Sequence, residues 1–580
     1  MRKESKFFFI NIFSNNYIKI LNFYIKVIFY KFFFKIKSNK NQYPKRALDF
    51  KNYFKNKIEK NKLYNYKIDQ NFELSTPLKS IKLNPLIQWN QLKNEKDYEI
   101  KQSFHRFYWL NLNKKYPSIE IFEKILNSWY SNFCSEKVAW HPYTSTERLV
   151  SILFFLDFNL NKSELLNIFK TSSVLNEVLD KTYNTILNNI EYTQEGNTFN
   201  HVVNNYKGLI LCGLLYRDDE LVKKSLKILL FELESILEDD FFFREGSSHY
   251  QLIISKWLLE IEYFFKIFDK KIHNSEFFNV SNLILDKASF FVVQGLKLKI
   301  PLFGDISPDF TPNWVLNFIY KFNKNKFFED AQIKNLDKLT LYNSKNKIFN
   351  FINFTRINRG FWTLFVKHSN CQRPYFPDHS HEDESQFVLF YKGNPLIIDP
   401  GRVNYNFKFN KDKFCLSSAH NIARLNGISC FSTRNYPYIP SNLKHPIEKT
   451  INKEGTQLII ELTSNSVRRI NHNNNDKYVR RFLLNENEFT IEDNFIIKKT
   501  CKYELSINFY KDLNINQINQ KSFYLGDKLN NFIVTTNNKY KISNSSCSES
   551  YNDVKNCKSV SFSEQINRKF NNRVTIKLFS

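Results

Sequence analysis

The chain has 580 residues, 42% of them hydrophobic, and carries a formal net charge of +27 at pH 7. A single hydrophobic core does not serve a chain of this length, so we expect a folded protein with two or three domains. Lysine and arginine are spread along the whole sequence and no nucleic-acid-binding motif accompanies them, which argues against a nucleic-acid partner.

Residues 1–99 are predicted to form a basic, aromatic N-terminal segment and a connector. Two apolar runs, at residues 7–13 and 21–34, are too short or too often interrupted by lysine to span a bilayer, and no small-residue cleavage site follows them. Aromatic residues mixed with lysines fit a helix lying on an anionic membrane, and they also fit an amphipathic helix packed on the rest of the protein. The stretch 35–99, rich in lysine and asparagine, is expected to be an extended connector.

From residue 100 to residue 340 the sequence predicts an all-α domain. Apolar residues recur there at a spacing close to 3.6, the period of a helix with one buried face. Helices in series with short connections favour stacked helical hairpins. The predicted helices are 148–158, 163–190, 201–216, 221–237, 250–268 and 280–298.

From residue 345 to residue 580 the pattern changes to short alternating or β-branched runs, several of them separated by asparagine-rich turns. These runs predict a large antiparallel β-sandwich, so the expected fold class is a multi-domain α+β protein. The predicted strands are 360–367, 385–391, 395–398, 457–463, 478–484, 489–497, 502–509, 532–536 and 573–578.

Histidine is scarce, at 11 of 580 residues, yet His379 and His381 lie two positions apart and His420 follows them. If residues 387–398 form a hairpin, that hairpin returns Asp399 close to His381. Imidazole and carboxylate groups are ligands for Zn²⁺-like ions, so His381, Asp399 and His420 are expected to bind one divalent metal ion, with zinc the first candidate. His379 is then not needed as a metal ligand and is available for another role. The alternative is that these are surface histidines on a polar loop.

These residues carry a resemblance to a known family. The run His379-Ser380-His381-Glu382-Asp383, followed by Asp399-Pro400-Gly401 and Ser418-Ala419-His420-Asn421, resembles the C-terminal signature of the heparinase II/III polysaccharide lyases. Upstream, Asn200-His201 resembles the family's Asn-His helix start, and Glu245-Gly246-Ser247-Ser248-His249-Tyr250 resembles its Glu-x-Ser-x-x-Tyr segment.

The resemblance implies an N-terminal incomplete (α/α) toroid followed by the β-sandwich. It also implies a lyase that cleaves a uronic-acid-containing glycan by β-elimination, with an acidic polysaccharide as the partner and a metal that is structural rather than catalytic. The cell envelope or periplasm is the location it suggests, although the N-terminus shows no clear signal peptide, so a cytoplasmic location stays open. The sequence does not indicate an oligomeric state.

For this reaction the resemblance implies four catalytic residues. Asn200 and His201 would hydrogen-bond the substrate carboxylate, where negative charge grows in the transition state. Tyr250 would act as base or acid, and His379 as the partner base or as a cation beside the carboxylate. Asn200 also suits a helix N-terminal cap.

Substrate-binding roles are expected for Arg148, Glu245, His249 and Arg244. A tyrosine with a pKa near 10 is mostly protonated at neutral pH, so cationic groups are expected to lower the pKa of Tyr250. Arg244, His249 and His379 are the candidates. Arg148 would pair with a uronate, or else form a salt bridge.

Other functions stay open at this stage. A uronyl C5-epimerase on the same scaffold shares the proton abstraction, and a non-catalytic glycan-binding or envelope-assembly protein would keep the fold and the metal. The eight cysteines contain no Cys-x-x-Cys pair, which argues against a zinc ribbon or a redox motif. Cys547 and Cys557 would form a disulfide in an exported protein and remain thiols otherwise.

Overall fold

The computed structural model describes residues 72–83, 89–112, 117–160, 162–192, 200–268, 275–323, 342–368, 379–407, 412–431, 434–435, 439–440, 447–471, 473 and 475–579. The predicted membrane-contacting segment at the N-terminus lies outside these residues. Among the helices that are described, none has the length and apolar content needed to cross a membrane.

Helices dominate the first half of the described chain. They are α1 (Asn90–Lys93), α2 (Tyr98–His105), α3 (Trp109–Leu112), α4 (Ile119–Phe133), α5 (Pro142–Asn159), α6 (Lys162–Thr171), α7 (Ser173–Asn188), α8 (Asn200–Tyr216), α9 (Asp219–Ile236), α10 (Ser248–Ile267), α11 (Ser275–Phe290) and α12 (Pro312–Asn323).

Three of these helices form an inner layer. Helices α5, α8 and α10 are buried on nearly every side, and α8 contacts both of the others. Helices α4 and α9 bury only one face, as their 3.6-residue apolar spacing predicts for an outer layer. The single helix predicted at residues 163–190 is divided into α6 and α7. Ser172 caps α7 by accepting a hydrogen bond from the backbone N–H of Leu175.

The connector differs from the expectation of an extended chain. Strands β1 (Phe72–Ser75) and β2 (Ser80–Leu83) pair as an antiparallel hairpin. Leu74 and Ile81 are buried in the helical core, so apolar burial orders this part of the connector.

Antiparallel strands dominate the second half. They are β5 (Lys347–Asn350), β6 (Phe354–Arg359), β7 (Trp362–Lys367), β8 (Phe387–Tyr391), β9 (Asn394–Ile397), β10 (Ala423–Leu425), β11 (Ile428–Ser429), β14 (Glu448–Glu454), β15 (Gln457–Ser464), β16 (Lys477–Leu484), β17 (Glu488–Phe509), β18 (Asn514–Asn519), β19 (Ser522–Gly526), β20 (Asn531–Thr536), β21 (Lys541–Ser548) and β22 (Val554–Leu578). Short two-residue pairs are β3 (Val293–Gln294) with β4 (Leu298–Lys299), and β12 (Arg434–Asn435) with β13 (Ile439–Pro440).

Strands β17 and β22 are the longest strands of this half, with 22 and 25 residues. They pair with each other along most of their lengths, and the register shifts between Ile497 and Cys501. That irregularity explains why the sequence pattern divides β17 into two predicted strands, because a bulge breaks the alternation of buried and exposed residues. The helical half and the antiparallel half together confirm the predicted α+β class.

The two halves share one apolar interface. Phe354, Phe365 and Phe390 of the β-domain belong to the same hydrophobic cluster as the helices. Beside them, Arg356 donates hydrogen bonds to the carbonyls of Phe290 and Val292, at 2.8 and 2.9 Å, where helix α11 ends. These contacts fix the helical domain against the first strands of the β-domain.

A buried ion pair organises the β-domain beneath the loops that carry the predicted metal ligands. Arg480 is fully buried and makes a bidentate bond to Asp493, with Nε–Oδ1 and Nη2–Oδ2 distances of 2.7 and 2.9 Å. Its remaining Nη1 donates to the carbonyls of Ser385 and Asn421. The pair therefore connects the sheet to the chain segments on either side of strands β8 and β9.

We expect Arg480→Met to lower the free energy of unfolding by about 3–5 kcal/mol, because the Asp493 carboxylate stays buried without its partner. The adjacent Arg481 supplies a matched control. Its side chain is 46% exposed and pairs with Glu461 at the surface, so Arg481→Met should change the stability by at most about 1 kcal/mol. Urea unfolding followed by tryptophan fluorescence measures both, and equal losses would contradict the assignment.

Candidate functional site

The candidate site lies where a loop of the helical domain meets a loop of the β-domain. The backbone N–H of Asp305 donates to the carbonyl of His379 at 2.8 Å. Gly304 has φ +71°, and a Cβ at this position would lie 2.4 Å from that same carbonyl oxygen. Glycine is required here both by its backbone conformation and by this close approach.

The carboxylate of Asp305 binds three side chains of the β-domain. His379 Nδ1 lies 3.0 Å from Oδ2, His381 Nε2 lies 2.8 Å from Oδ1, and Arg402 Nη1 reaches both oxygens at 3.0 and 3.2 Å. Although burial disfavours the charged form, Arg402 and the two histidine hydrogen bonds hold the pKa of Asp305 well below its usual range. Asp305 is therefore an ionised acceptor.

This hydrogen bond fixes the tautomer of His379. Because the Asp305 carboxylate only accepts, His379 Nδ1 carries a proton, and when the ring is neutral Nε2 carries the lone pair. The amide of Asn200 donates to Nε2 at 2.9 Å, and Glu245 Oε2 lies 3.5 Å from the same atom.

The ring of Tyr250 stacks on the ring of His379. Their centroids are 3.6 Å apart and their planes differ by 12°. Tyr250 stands in the first turn of α10, which Ser247 caps by accepting from the backbone N–H of Tyr250 at 3.1 Å. Helix α8 begins with Asn200. Two helix starts and one β-domain loop thus bring together three of the predicted catalytic residues.

The hydroxyl of Tyr250 has a partner that the sequence pattern did not reveal. It lies 3.1 Å from the hydroxyl of Tyr405, which also lies 3.2 Å from the carbonyl of Ile306 and donates to it. Arg402 lies over the ring of Tyr405, with 4.7 Å from its guanidinium carbon to the ring centroid. Tyr405 is one of 31 tyrosines and is not part of any motif identified in the sequence, so the sequence does not single it out.

The pKa of Tyr250 departs from the expectation. Burial raises it well above the ordinary value, and the hydrogen bond with Tyr405 only partly offsets this effect. His249, one of the predicted cations, does not lower it. Burial lowers the pKa of His249 to about 3, and its Nδ1 accepts from the backbone N–H of Ser307 at 3.0 Å. His249 is therefore neutral near pH 7, and Tyr250 is protonated.

The two arginines predicted to bind substrate point elsewhere. Arg244 donates from Nη1 to the carbonyl of Ser235 at 2.6 Å, near the end of α9. Arg148 is fully buried and donates to the carbonyls of Ala139 and His105, with its guanidinium over the ring of Trp140. Arg148 has no exposed surface for a uronate, which corrects that prediction.

His201 stands beside Asn200 and is 46% exposed. Its Nδ1 lies 2.8 Å from Glu191 Oε1, while the other oxygen of Glu191 accepts from Asn205 and from the backbone of Tyr143. Although burial opposes it, the carboxylate of Glu191 raises the pKa of His201. This favours an imidazolium ion beside Asn200.

The predicted metal ligands also come together. Strands β8 and β9 form the predicted hairpin. Both residues of its turn, Lys392 and Gly393, have positive φ. Ligand atoms of His381, Asp399 and His420 lie within 4.8 Å of one another and are buried. A second buried group of the same size contains Asp305, His381 and Cys415.

The chemistry of the first group suits a metal ion. His420 Nδ1 lies 3.1 Å from Asp399 Oδ2, and His420 Nε2 is buried with no hydrogen-bond partner among the described residues. Asp383, the acid of the His-x-His-x-Asp run, is not part of either group. Instead its two oxygens accept from Lys367 Nζ at 2.7 and 2.8 Å.

The Lys367 ammonium has two further partners. It donates to Ser380 Oγ at 3.1 Å and to the carbonyl of Gly246 in the helical domain at 3.3 Å. This ion pair holds the loop between His379 and His381 against the segment that precedes α10.

The fold and site define a two-domain protein with a Tyr–His–Asn cluster at the domain boundary, adjoining a buried group of metal-ligand type. Residues 343–574 match the family model described as Heparinase II/III-like, C-terminal. This match confirms the resemblance seen in the sequence. The comparison with curated protein sequences gave no match.

Several solved structures share the whole architecture. A heparinase III crystal structure aligns with a TM-score of 0.62 at 16% identity, covering 85% of this chain and 79% of the other. The heparan sulfate lyase HepC from Pedobacter heparinus aligns with a TM-score of 0.56 at 15% identity, covering 98% and 92%. At these identities the likeness establishes the fold, an incomplete (α/α) toroid followed by a large antiparallel β-sandwich, as predicted.

Proposed function

We propose that the protein is a polysaccharide lyase that cleaves a uronic-acid-containing glycan by β-elimination. The observation that carries this proposal is the stacked pair of Tyr250 and His379 with Asn200 on the imidazole nitrogen, at the boundary between the two domains. Two of the similar structures are a heparinase III and a heparan sulfate lyase, which supports the same class of substrate.

The reaction makes three chemical demands. The proton on C5 is weakly acidic although it lies next to a carboxylate, so a base must remove it while the negative charge that develops on the carboxylate is stabilised. The C4–O4 bond then breaks, and O4 must receive a proton as it leaves. The product has a C4=C5 double bond in the uronate ring, and the departing sugar has a new hydroxyl group.

Asn200 and His201 suit the stabilising role. The Asn200 amide has N–H groups to donate, and the raised pKa of His201 favours a cation next to it. Preorganised donors of this kind commonly contribute a factor of about 10²–10³ in rate.

His379 suits the base. Asp305 holds the proton on Nδ1, which leaves the Nε2 lone pair to accept the C5 proton as Asn200 turns to the substrate carboxylate. The ionised Asp305 then stabilises the imidazolium ion that forms. The 3.0 Å distance between His379 Nδ1 and Asp305 Oδ2 supports this orienting role of the carboxylate.

Tyr250 suits the acid. Its raised pKa keeps the phenol protonated at rest, and a protonated phenol can donate to O4 as the C4–O4 bond breaks. The Tyr405 hydroxyl, which donates to the carbonyl of Ile306 at rest, can turn to donate to the phenolate that results. The cycle closes when the proton on His379 passes to solvent and Tyr250 regains one from solvent.

The arrangement favours elimination over epimerisation. An epimerase must deliver a proton to the face of C5 opposite the base, whereas Tyr250 and His379 are stacked together and approach a sugar ring from one side. The comparisons give no support to the epimerase alternative. A purely glycan-binding protein would not need the Asp305–His379 pair.

We expect Tyr250→Phe to reduce the rate of unsaturated product formation by about 10²–10⁴-fold, the typical contribution of a positioned acid. The assay follows the ultraviolet absorbance of the 4,5-unsaturated uronate with heparinoid, chondroitin, alginate and bacterial capsular glycans. Tyr540→Phe is the control, because this β-domain tyrosine donates only to backbone carbonyls of Asn519 and Ser522. A Tyr250→Phe protein as active as wild type would refute the assignment.

We also propose that His381, Asp399 and His420 hold one zinc ion with a structural role. Two imidazoles and a carboxylate are a common zinc ligand set, and all three residues are buried, which favours a structural role over contact with substrate. When bound, the ion would tie the loop carrying His379 to strand β9 and to the segment before β10. None of the proton transfers above passes through it.

Wild-type protein should contain about one zinc per chain by elemental analysis, and His420→Ala should lose it. Chelation of the wild type should lower its melting temperature, while chelation of His420→Ala should have no further effect. His249→Ala is the control, since His249 belongs to neither metal-ligand group. Full zinc content in His420→Ala would contradict this site.

A further inference from the structure

A turn of the β-domain supports the chain segment that carries Tyr405. Strands β21 and β22 are joined by a short turn, and the turn contacts the segment 400–405. The backbone N–H of Ser548 donates to the carbonyl of Pro400 at 2.8 Å, and that of Asn552 donates to the carbonyl of Val403 at 2.7 Å.

Side chains extend this contact towards the site. The hydroxyl of Tyr551 accepts from the backbone N–H of Tyr405 at 3.2 Å, and the rings of the two tyrosines lie 5.4 Å apart. Asn404 donates to Asn552 at 2.8 Å. The position of Tyr405 beside Tyr250 therefore depends on the turn between β21 and β22.

Two cysteines lie at the base of this turn. In the antiparallel pairing of β21 with β22, Cys557 is opposite Ser545 and Cys547 is opposite Lys555. Residues two apart on a strand share a face, so Cys547 and Cys557 are diagonal neighbours on one face of the sheet. Both are buried thiols, and the neighbouring Cys557, together with burial, raises the pKa of Cys547 well above its usual value.

We propose that Cys547 and Cys557 are oxidised to a disulfide that staples the β21–β22 turn beneath the Tyr405 segment. The sequence leaves this pair open, and the pairing register supplies the proximity. The proposal is independent of the lyase reaction, because it concerns only these two sulfur atoms and the turn between them.

The chemistry requires a disulfide oxidant, for which oxidised glutathione is the probe. The Cys557 thiolate attacks one glutathione sulfur, which forms a mixed disulfide and releases the first glutathione thiolate. The Cys547 thiol loses its proton to solvent and attacks the Cys557 sulfur, which forms the protein disulfide and releases the second glutathione. Two protein thiols are oxidised, and one oxidised glutathione is reduced to two thiols.

The environment selects the first nucleophile. Hydrogen bonds from Cys547 and Ser545 lower the pKa of Cys557, with burial opposing the shift. Because both sulfur atoms are buried, exchange takes place when the hairpin is open, either during folding or in a transient opening of β21. Once formed, the disulfide restricts that opening. It stabilises the turn chiefly by lowering the conformational entropy of the unfolded chain.

Peptide mapping tests the linkage directly. Full-length protein is equilibrated in an oxidised or a reduced glutathione buffer, then unfolded and alkylated. Trypsin cleaves after Lys541, Lys555 and Lys558, so the two cysteines fall in separate peptides. The oxidised sample should yield these two peptides linked by one disulfide, and the reduced sample should yield both alkylated.

Matched variants separate the stabilisation by this disulfide from general effects of the oxidising buffer on the protein. Wild type and Cys134→Ser should both melt roughly 5 °C higher in the oxidised buffer, whereas Cys547→Ser should melt at the same temperature in both. Alkylated Cys547 and Cys557 in the oxidised wild type would overturn the proposal, as would linkage of either to another cysteine. If Cys547→Ser does not fold, the wild-type peptide map still decides. Activity assays play no part in this decision, so the lyase assignment can fail while the disulfide stands.

Discussion

The carboxylate of Asp305 is the group on which the candidate site depends. It belongs to the helical domain, yet His379, His381 and Arg402 of the β-domain all bind it. A buried carboxylate is stable only with such partners, because its loss of hydration must be offset by charge and hydrogen bonds. The same bonds that stabilise Asp305 also orient His379, which sets the imidazole against Tyr250 and directs its free nitrogen to Asn200.

The surrounding contacts extend this dependence to both domains. Arg402 connects Asp305 with Asp412 at 2.9 Å and covers the ring of Tyr405. Lys367 ties the His379 loop to the backbone of Gly246, just before the helix that carries Tyr250. The donors and acceptors of the site are therefore held by buried charge on each side of the domain boundary, as a preorganised site requires.

The sequence predicted the parts of the site that depend on local patterns. The hairpin at residues 387–398 is predicted by two short apolar runs around a Lys-Gly turn, and it brings Asp399 close to His381. The family resemblance, and not residue spacing, predicts a shared role for Tyr250, His379 and Asn200. These residues lie far apart in the chain, so no local pattern reveals that they are in contact.

The remaining parts depend on tertiary contacts that carry no local signal. The sequence suggests that Arg148 binds substrate, but its planar guanidinium packs against the rings of Trp129 and Trp140. His249 was expected to be cationic, and burial makes it neutral. Asp305 and Tyr405 lacked an assigned role because the partners that define them come from the other domain or from a distant loop.

A crystal structure of Asp305→Ala would show whether Asp305 orients His379. We expect both domain cores to stay intact, while His379 leaves the face of Tyr250 and loses its contact with Asn200. If the two rings remained stacked with centroids 3.6 Å apart, as they are in the wild type, the claim that Asp305 orients His379 would be contradicted.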